Sequence, residues 1–195
     1  MIRKVPFNVF PLLHFVLYWV TPNKIYIKYR KSSFTMEYFD VVNENDEVIG
    51  KASRDEVHQK KLIHRAVTIF VFNSKNQLFM IQRSRNKKLN PLKWQGSASG
   101  YVESGESYEL SAKRELKEEL NINAEPKFEF DVKTFSDEQK EFFKLFSVKT
   151  NDPITVNDEI EQSKFMSIDD IKVMIENNSS QFRDAFLMMF NRYFS

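Results

Sequence analysis

The stretch from Gly100 to Ile122, GYVESGESYELSAKRELKEELNI, constrains the fold more than any other part of the chain. From Ser107 to Leu120 it has no Gly or Pro, and Leu, Ala, Glu and Lys fill most positions, which predicts a helix. Ala112, Leu116 and Leu120 recur every fourth residue and make an apolar stripe that must be buried against another element. Glu115, Glu118 and Glu119 stand at i, i+3 and i+4, so their carboxylates are expected to project together over one small volume beside that stripe.

Left to itself, this arrangement is unfavourable. Like charges at these spacings repel, and acids near a helix C-terminus oppose the macrodipole, each by some tenths of a kcal/mol. A bound cation reverses the sign, and hard oxygen ligands on a rigid element suit Mg²⁺ or Mn²⁺. Glu115 and Glu119, one turn apart, are the first choice as ligands. Glu118 is the candidate for a second ion or for orienting an attacking water as general base. The competing reading is a solvated Glu/Lys-rich helix face.

The loop before the helix decides between them. Gly100, five residues, Glu106, seven residues, then Arg114-Glu115-Leu116-x-Glu118-Glu119-x-x-Ile122 resembles the signature of the Nudix hydrolases at every position except Asn121, where the family has Gly. That Gly ends the helix in a left-handed residue, a conformation that Asn tolerates best among the others, so the loop-helix-loop shape is expected to survive. The resemblance implies an α/β fold, the Nudix-type α/β/α sandwich with a mixed β-sheet. It also implies a structural ion pair between Arg114 and Glu106, and a Gly100 whose backbone shape lets the loop approach metal or substrate. In many members a further acid outside the signature completes the site; Glu141, Glu159 and Glu161 are candidates, each expected to be solvated.

Similarity to the family extends over most of residues 37–195 and points to the branch related to isopentenyl-diphosphate isomerases. Those isomerases need a catalytic cysteine and histidines that help hold their metal. His58 and His64 sit in the corresponding region, but the sequence has no cysteine, and Gln95-Gly96-Ser97-Ala98 stands where the isomerases place theirs. The intact carboxylate set favours a Mg²⁺-dependent hydrolase of a diphosphate linkage in a nucleoside-diphosphate-type or related small molecule. The alternatives are an isomerase-like enzyme and a non-catalytic nucleotide-binding regulatory module. The resemblance admits a homodimer.

Charge separates the chain into two parts. Residues 1–36 carry six Lys and Arg and no acid, so from a total of +2 the remainder holds 2 − 6 = −4. A nucleic-acid-binding domain carries its basic face on the folded part, so general nucleic-acid binding is not expected. The basic, apolar leader, residues 1–35, has three readings: a membrane-associated signal anchor, short of the ~20 residues a span needs; an organellar presequence; or a segment outside a mature protein that starts at Met36. The third reading and the absence of cysteine fit a cytoplasmic protein.

Residues 36–195 read as one domain. Glu37–Val42 and Glu47–Ala52 form a hairpin around the turn at 43–46, and Ser53 with Glu56 makes a capping box. Arg65–Phe72 is β-branched and apolar without alternation, as a central strand covered on both faces should be. Gln77–Gln82 pairs with it, and Arg83, at the end of that strand, is placed to reach a substrate phosphate oxygen. Trp94–Ser99 is expected as one short strand leading into Gly100. Strands follow at 127–133, 141–148 and 160–166, around a polar loop at 136–140. A helix capped by Ser167 comes next, then a last helix over 180–194 with its Phe/Met stripe packed on the sheet.

Overall fold

The structure, a computed structural model, describes residues 36–135 and 140–195, together with two strands of the leader, Val16–Thr21 (β1) and Lys24–Tyr29 (β2), which pair antiparallel. The chain divides into two compact units, Met1–Thr35 and Met36–Ser195. Beyond β1 and β2, the signal-anchor and presequence readings lie outside the described residues, as does most of the polar loop at 136–140. Among the described residues no helix is long and apolar enough to cross a membrane.

The second unit begins with a separate hairpin, Tyr38–Val42 (β3) and Val48–Ser53 (β4), and a short helix, Arg54–Lys60 (α1). The main sheet is built on His64–Phe72 (β5). On one side of it lie Leu78–Arg83 (β6) and then Ile160–Met166 (β11); on the other, Lys140–Lys149 (β10) and then Lys127–Phe135 (β9). Trp94–Gln95 (β7) pairs with β6, and Ala98–Tyr101 (β8) with β5. The β5–β10 pair is parallel and its neighbours are antiparallel, so the sheet is mixed.

Why β5 reads as an unbroken apolar run is now plain. Val67, Ile69 and Val71 turn to one face, where they meet Ala112, Leu116 and Leu120 of Tyr108–Leu120 (α2). Ala66 and Phe70 turn to the other, against Ile171 of Ile168–Asn177 (α3) and Phe186, Met189 and Phe190 of Asp184–Tyr193 (α4). Successive side chains of a strand point to opposite faces, so a strand between two helical layers has no solvent face to mark. The result is an α/β/α sandwich.

The helix boundaries follow local chemistry. Ser53, Ser107 and Ser167 each accept a hydrogen bond from the backbone N–H three residues on. Asn121 takes the left-handed conformation at φ 56°, and the N–H groups of Asn121 and Ile122 close the end of α2 on the carbonyls of Lys117 and Leu116.

Two elements differ from the sequence-based expectation. Residues 94–99 form two strands, because the buried Ser97 breaks the ladder: its hydroxyl donates to Phe79 O at 2.6 Å and accepts from Val71 N at 2.7 Å. At the C-terminal end, a 3-10 turn at Ser179–Gln181 precedes α4, and Phe182 and Arg183 are extended. Phe182 bridges Trp94 in parallel, and Arg183 N donates to Trp94 O at 3.0 Å. A tertiary backbone bond there replaces a turn of helix.

Candidate active site

Burying the stripe of α2 dictates where its acids go. Residues advance 100° around a helix, so Glu115 and Glu119 lie 40° apart beside the stripe, whereas Glu118 turns 60° to the other side of Glu115. Glu115 and Glu119 are each only 8% exposed; the side chain of Glu118 is 59% exposed. Of the three carboxylates expected to project together, two are thus buried against β8 and one lies at the rim. Among the described residues no three His, Asp or Glu side chains are drawn together as a ready cation site.

Two adjacent residues of β8 receive the buried pair. Ser99 N donates to Glu119 Oε2 at 3.2 Å. Gly100, paired with Val67, lies directly over Glu115: a Cβ there would stand 2.0 Å from Glu115 Oε1. Gly100 is thus required by this close approach, because its φ is not positive, unlike that of Gly105 at 82°.

Arg114 ties the loop to the helix. Its Nε and Nη2 donate to the two oxygens of Glu106 at 3.1 and 2.9 Å, and Nη2 also reaches Tyr101 O at 2.9 Å. Nη1 donates to Glu115 Oε1 at 2.6 Å and stands 3.5 Å from Glu118 Oε2. Burial disfavours the cation, but the bonds to Glu106 and Glu115 outweigh it and hold the guanidinium above its ordinary pKa. One arginine therefore touches three of the acids.

Desolvation controls the two inner carboxyls. Burial pushes Glu115 up to about 7 against the pull of Arg114, and pushes Glu119 up to about 8, helped by the charge on Glu115 and opposed by the Ser99 N–H. A carboxyl raised by burial favours the fold while protonated. Its contribution is complete below the ordinary value of 4.5 and is lost as pH rises through 7 to 8. In EDTA, the wild-type chain is expected to lose thermal stability from pH 5 to pH 8.5, whereas Glu119→Gln should flatten that slope. With ~1.4 kcal/mol per pKa unit, the difference between the two chains should be on the order of 2 kcal/mol or more. Identical slopes would mean that Glu119 is not buried as described.

The other sequence-based candidates separate clearly. Arg83 ends β6 and donates through Nε and Nη2 to Leu89 O at 3.2 and 3.1 Å; burial and the nearby Arg183 hold its pKa below the ordinary value. Glu159 pairs with Lys87 and Glu161 with Arg85 on the surface. Glu141 is not solvated, contrary to expectation, but 2% exposed, with Oε1 3.4 Å from Nε2 of the equally buried His64. His64 Nδ1 faces Leu62 O at 3.0 Å, and among the described residues neither Nε2 nor Glu141 Oε1 has a hydrogen-bond partner. The signal for this pair was the parallel register: Glu141 lies opposite His64, and both share the strand parity of core residues, Glu141 with Phe143 and Leu145, His64 with Ala66 and Phe70. Tyr101 packs against His58 and His64 with ring centroids 5.4 and 5.0 Å apart, and burial together with Glu141 pushes its hydroxyl up to about 12.

Comparison with known proteins agrees with this fold. The NUDIX domain profile matches residues 62–186. An uncharacterised Nudix hydrolase of Nostoc is 44% identical over 89 residues, 45% of this chain and 53% of the relative, so the match spans about half of that protein's length. An isopentenyl-diphosphate Delta-isomerase of Pectobacterium atrosepticum is 29% identical over 158 residues, 78% of this chain and 88% of the relative. Among solved structures, a Deinococcus radiodurans protein superposes with a TM-score of 0.68 at 26% identity, covering 80% of this chain and 98% of the other.

Proposed function

The chain belongs to the Nudix hydrolase family, and from that premise we propose that it is a Mg²⁺- or Mn²⁺-dependent hydrolase of a diphosphate linkage in a nucleoside-diphosphate-type or related small molecule. The observation that carries this reading is the pair Glu115 and Glu119, buried together against β8 with a single arginine touching only one of them. Two carboxyls so placed weaken the metal-free fold, and glycine at position 100 keeps the space above them open to a carboxylate. Hard oxygen donors of this kind fit a divalent cation; Glu115, Glu119 and the rim carboxylate Glu118 would hold it. When bound, the ion polarises phosphorus and lowers the pKa of its water.

The chain's own groups supply the rest. Arg114 fixes the Glu115 carboxylate and locks the loop through Glu106, so the site is preorganised before substrate arrives. Glu118, exposed at the rim 3.5 Å from Arg114 Nη1, would accept a proton from the attacking water whenever it is not holding a second ion. Arg83, at the end of β6, is placed to meet a phosphate oxygen.

A second reading, the isomerase, is favoured by the buried His64–Glu141 pair and by the name of the Pectobacterium relative. Ser97 argues against it. Standing in the region of the isomerases' cysteine, its hydroxyl is committed to Phe79 O and Val71 N and has no proton to give an alkene.

Turnover by the full-length chain, assayed with Mg²⁺ and then with EDTA, decides between them. The panel holds nucleoside-diphosphate sugars, dinucleotides, nucleoside triphosphates and isopentenyl diphosphate. Release of phosphate species from one class, abolished by EDTA, is the expected result. Conversion of isopentenyl diphosphate without phosphate release would establish the isomerase instead, and metal-independent binding with no turnover would leave a regulatory module.

A further inference from the structure

Arg183 is the C-terminal residue that the fold brings to β7. Its backbone N–H donates to Trp94 O at 3.0 Å and its Nη1 to Oε1 of the buried Gln95 at 3.1 Å, so both main chain and side chain are anchored on that strand. Arg83 is attached to the same segment from the other side, through its N–H to Lys93 O at 3.0 Å and the pairing of Gln82 with Trp94. The short β7 thus carries one arginine on each flank.

Among the described residues neither arginine is ion-paired with an acid. Arg54, Arg65, Arg85 and Arg114 each hold a carboxylate, and the exposed Arg192 stacks 4.2 Å from the Phe130 ring. Arg83 and Arg183 are partly buried, and among the described residues neither has a carboxylate within ion-pair distance; their guanidinium bonds go to the Leu89 and Gln95 carbonyls alone. Arg183 is also close enough to act on Arg83 as a like charge, with Glu119, Tyr101 and Glu159 in the same field. Two partly desolvated cations side by side raise the free energy of the empty fold, and a doubly charged oxyanion bound between them offsets it.

We propose that Arg183 is a substrate-binding residue that, opposite Arg83, clamps one phosphate of the diphosphate beside the α2 carboxylates. The guanidinium fork matches phosphate geometry in a way that an ammonium does not, and Gln95 holds the fork in place. Because Arg183 comes from the segment before α4, far in sequence from the signature, this residue ties specificity to the C-terminal part of the domain.

The proposal rests on the diphosphate-hydrolase reading, and the two can fail separately. Titration of inorganic pyrophosphate into the full-length chain, in EDTA and without added metal, reads the clamp without turnover. Wild type is expected to bind, and R183A and R83A each to weaken binding by about 10- to 100-fold. R183Q keeps a donor for the Gln95 carbonyl but loses the charge, so it must weaken binding as well. R192A removes the same charge from exposed surface and should bind like wild type. Unaltered binding by R183Q, or equal weakening by R192A, overturns the proposal. Pyrophosphate binding that depends on Arg183 in a chain that turns over no diphosphate sinks the hydrolase and keeps the clamp. Turnover whose KM is unmoved in R183Q does the reverse.

Discussion

Glu118→Gln is expected to lower kcat by about 10²- to 10⁴-fold, the range for loss of a positioned general base, with little change in KM and none in the thermal midpoint. The separation of effects follows from where Glu118 sits. Its side chain is mostly solvated and its nearest charged contact, Arg114 Nη1, is 3.5 Å away and already donates to Glu115, while Nε and Nη2 of the same guanidinium are held by Glu106. Removing one negative charge there leaves the Arg114–Glu115 bond in place and only eases the repulsion that Glu118 exerts on the buried Glu115, so any stability change stays within the few tenths of a kcal/mol typical of surface pairs. Glu115→Gln would be a poorer test, because it also breaks the 2.6 Å bond to Arg114. A Glu118→Gln chain with wild-type kcat would remove Glu118 from the chemistry and leave the inner pair to carry it.

Gly100→Ala is the second large effect. The new methyl would lie 2.0 Å from Glu115 Oε1 and 2.1 Å from its carboxyl carbon, far inside contact distance. The far end of a glutamate can swing away, so the backbone need not move. Swinging it, however, takes the carboxylate off Arg114 and out of the position that Gly100 leaves for it. A displacement of about 1 Å at a reacting centre costs on the order of 10²-fold in rate, and forcing an extra methyl into packed space costs about 1–3 kcal/mol. Activity should therefore fall much more than stability. Gly50→Ala is the matched control, since a Cβ there meets only Val41 Cβ at 4.0 Å. Equal losses in the two variants would show that the crowding over Glu115 is irrelevant to function.

The wrong part of the sequence reading is as informative as the right part. Helical spacing gave the i, i+3, i+4 acids one face, which is correct for an isolated helix. Once Ala112, Leu116 and Leu120 are pressed on the sheet, the direction of burial picks Glu115 and Glu119 and leaves Glu118 outside. Gly100 was read as a residue whose backbone shape lets the loop approach metal or substrate; the fold adds that it has no side chain where Glu115 arrives. Glu141 was named as a candidate acid but expected to be solvated, because nothing in its own segment shows that a buried histidine lies opposite in the parallel register.

What the sequence determined by itself is local or periodic. The three serine caps, the left-handed Asn121, the apolar stripe of α2 and the two-faced apolar run of β5 depend on neighbours within a few residues, whose geometry is the same in any helix or strand. The spacing of the Gly100 to Ile122 signature belongs here too. Only the tertiary structure decided which carboxylates are desolvated, that Ser97 is locked between two strands, and that Arg183 and Arg83 are both attached to the segment of β7. Burial and charge pairing are properties of groups brought together from distant parts of the chain, and the energy that raises Glu119 or lowers Arg83 exists only after the sheet has closed over them.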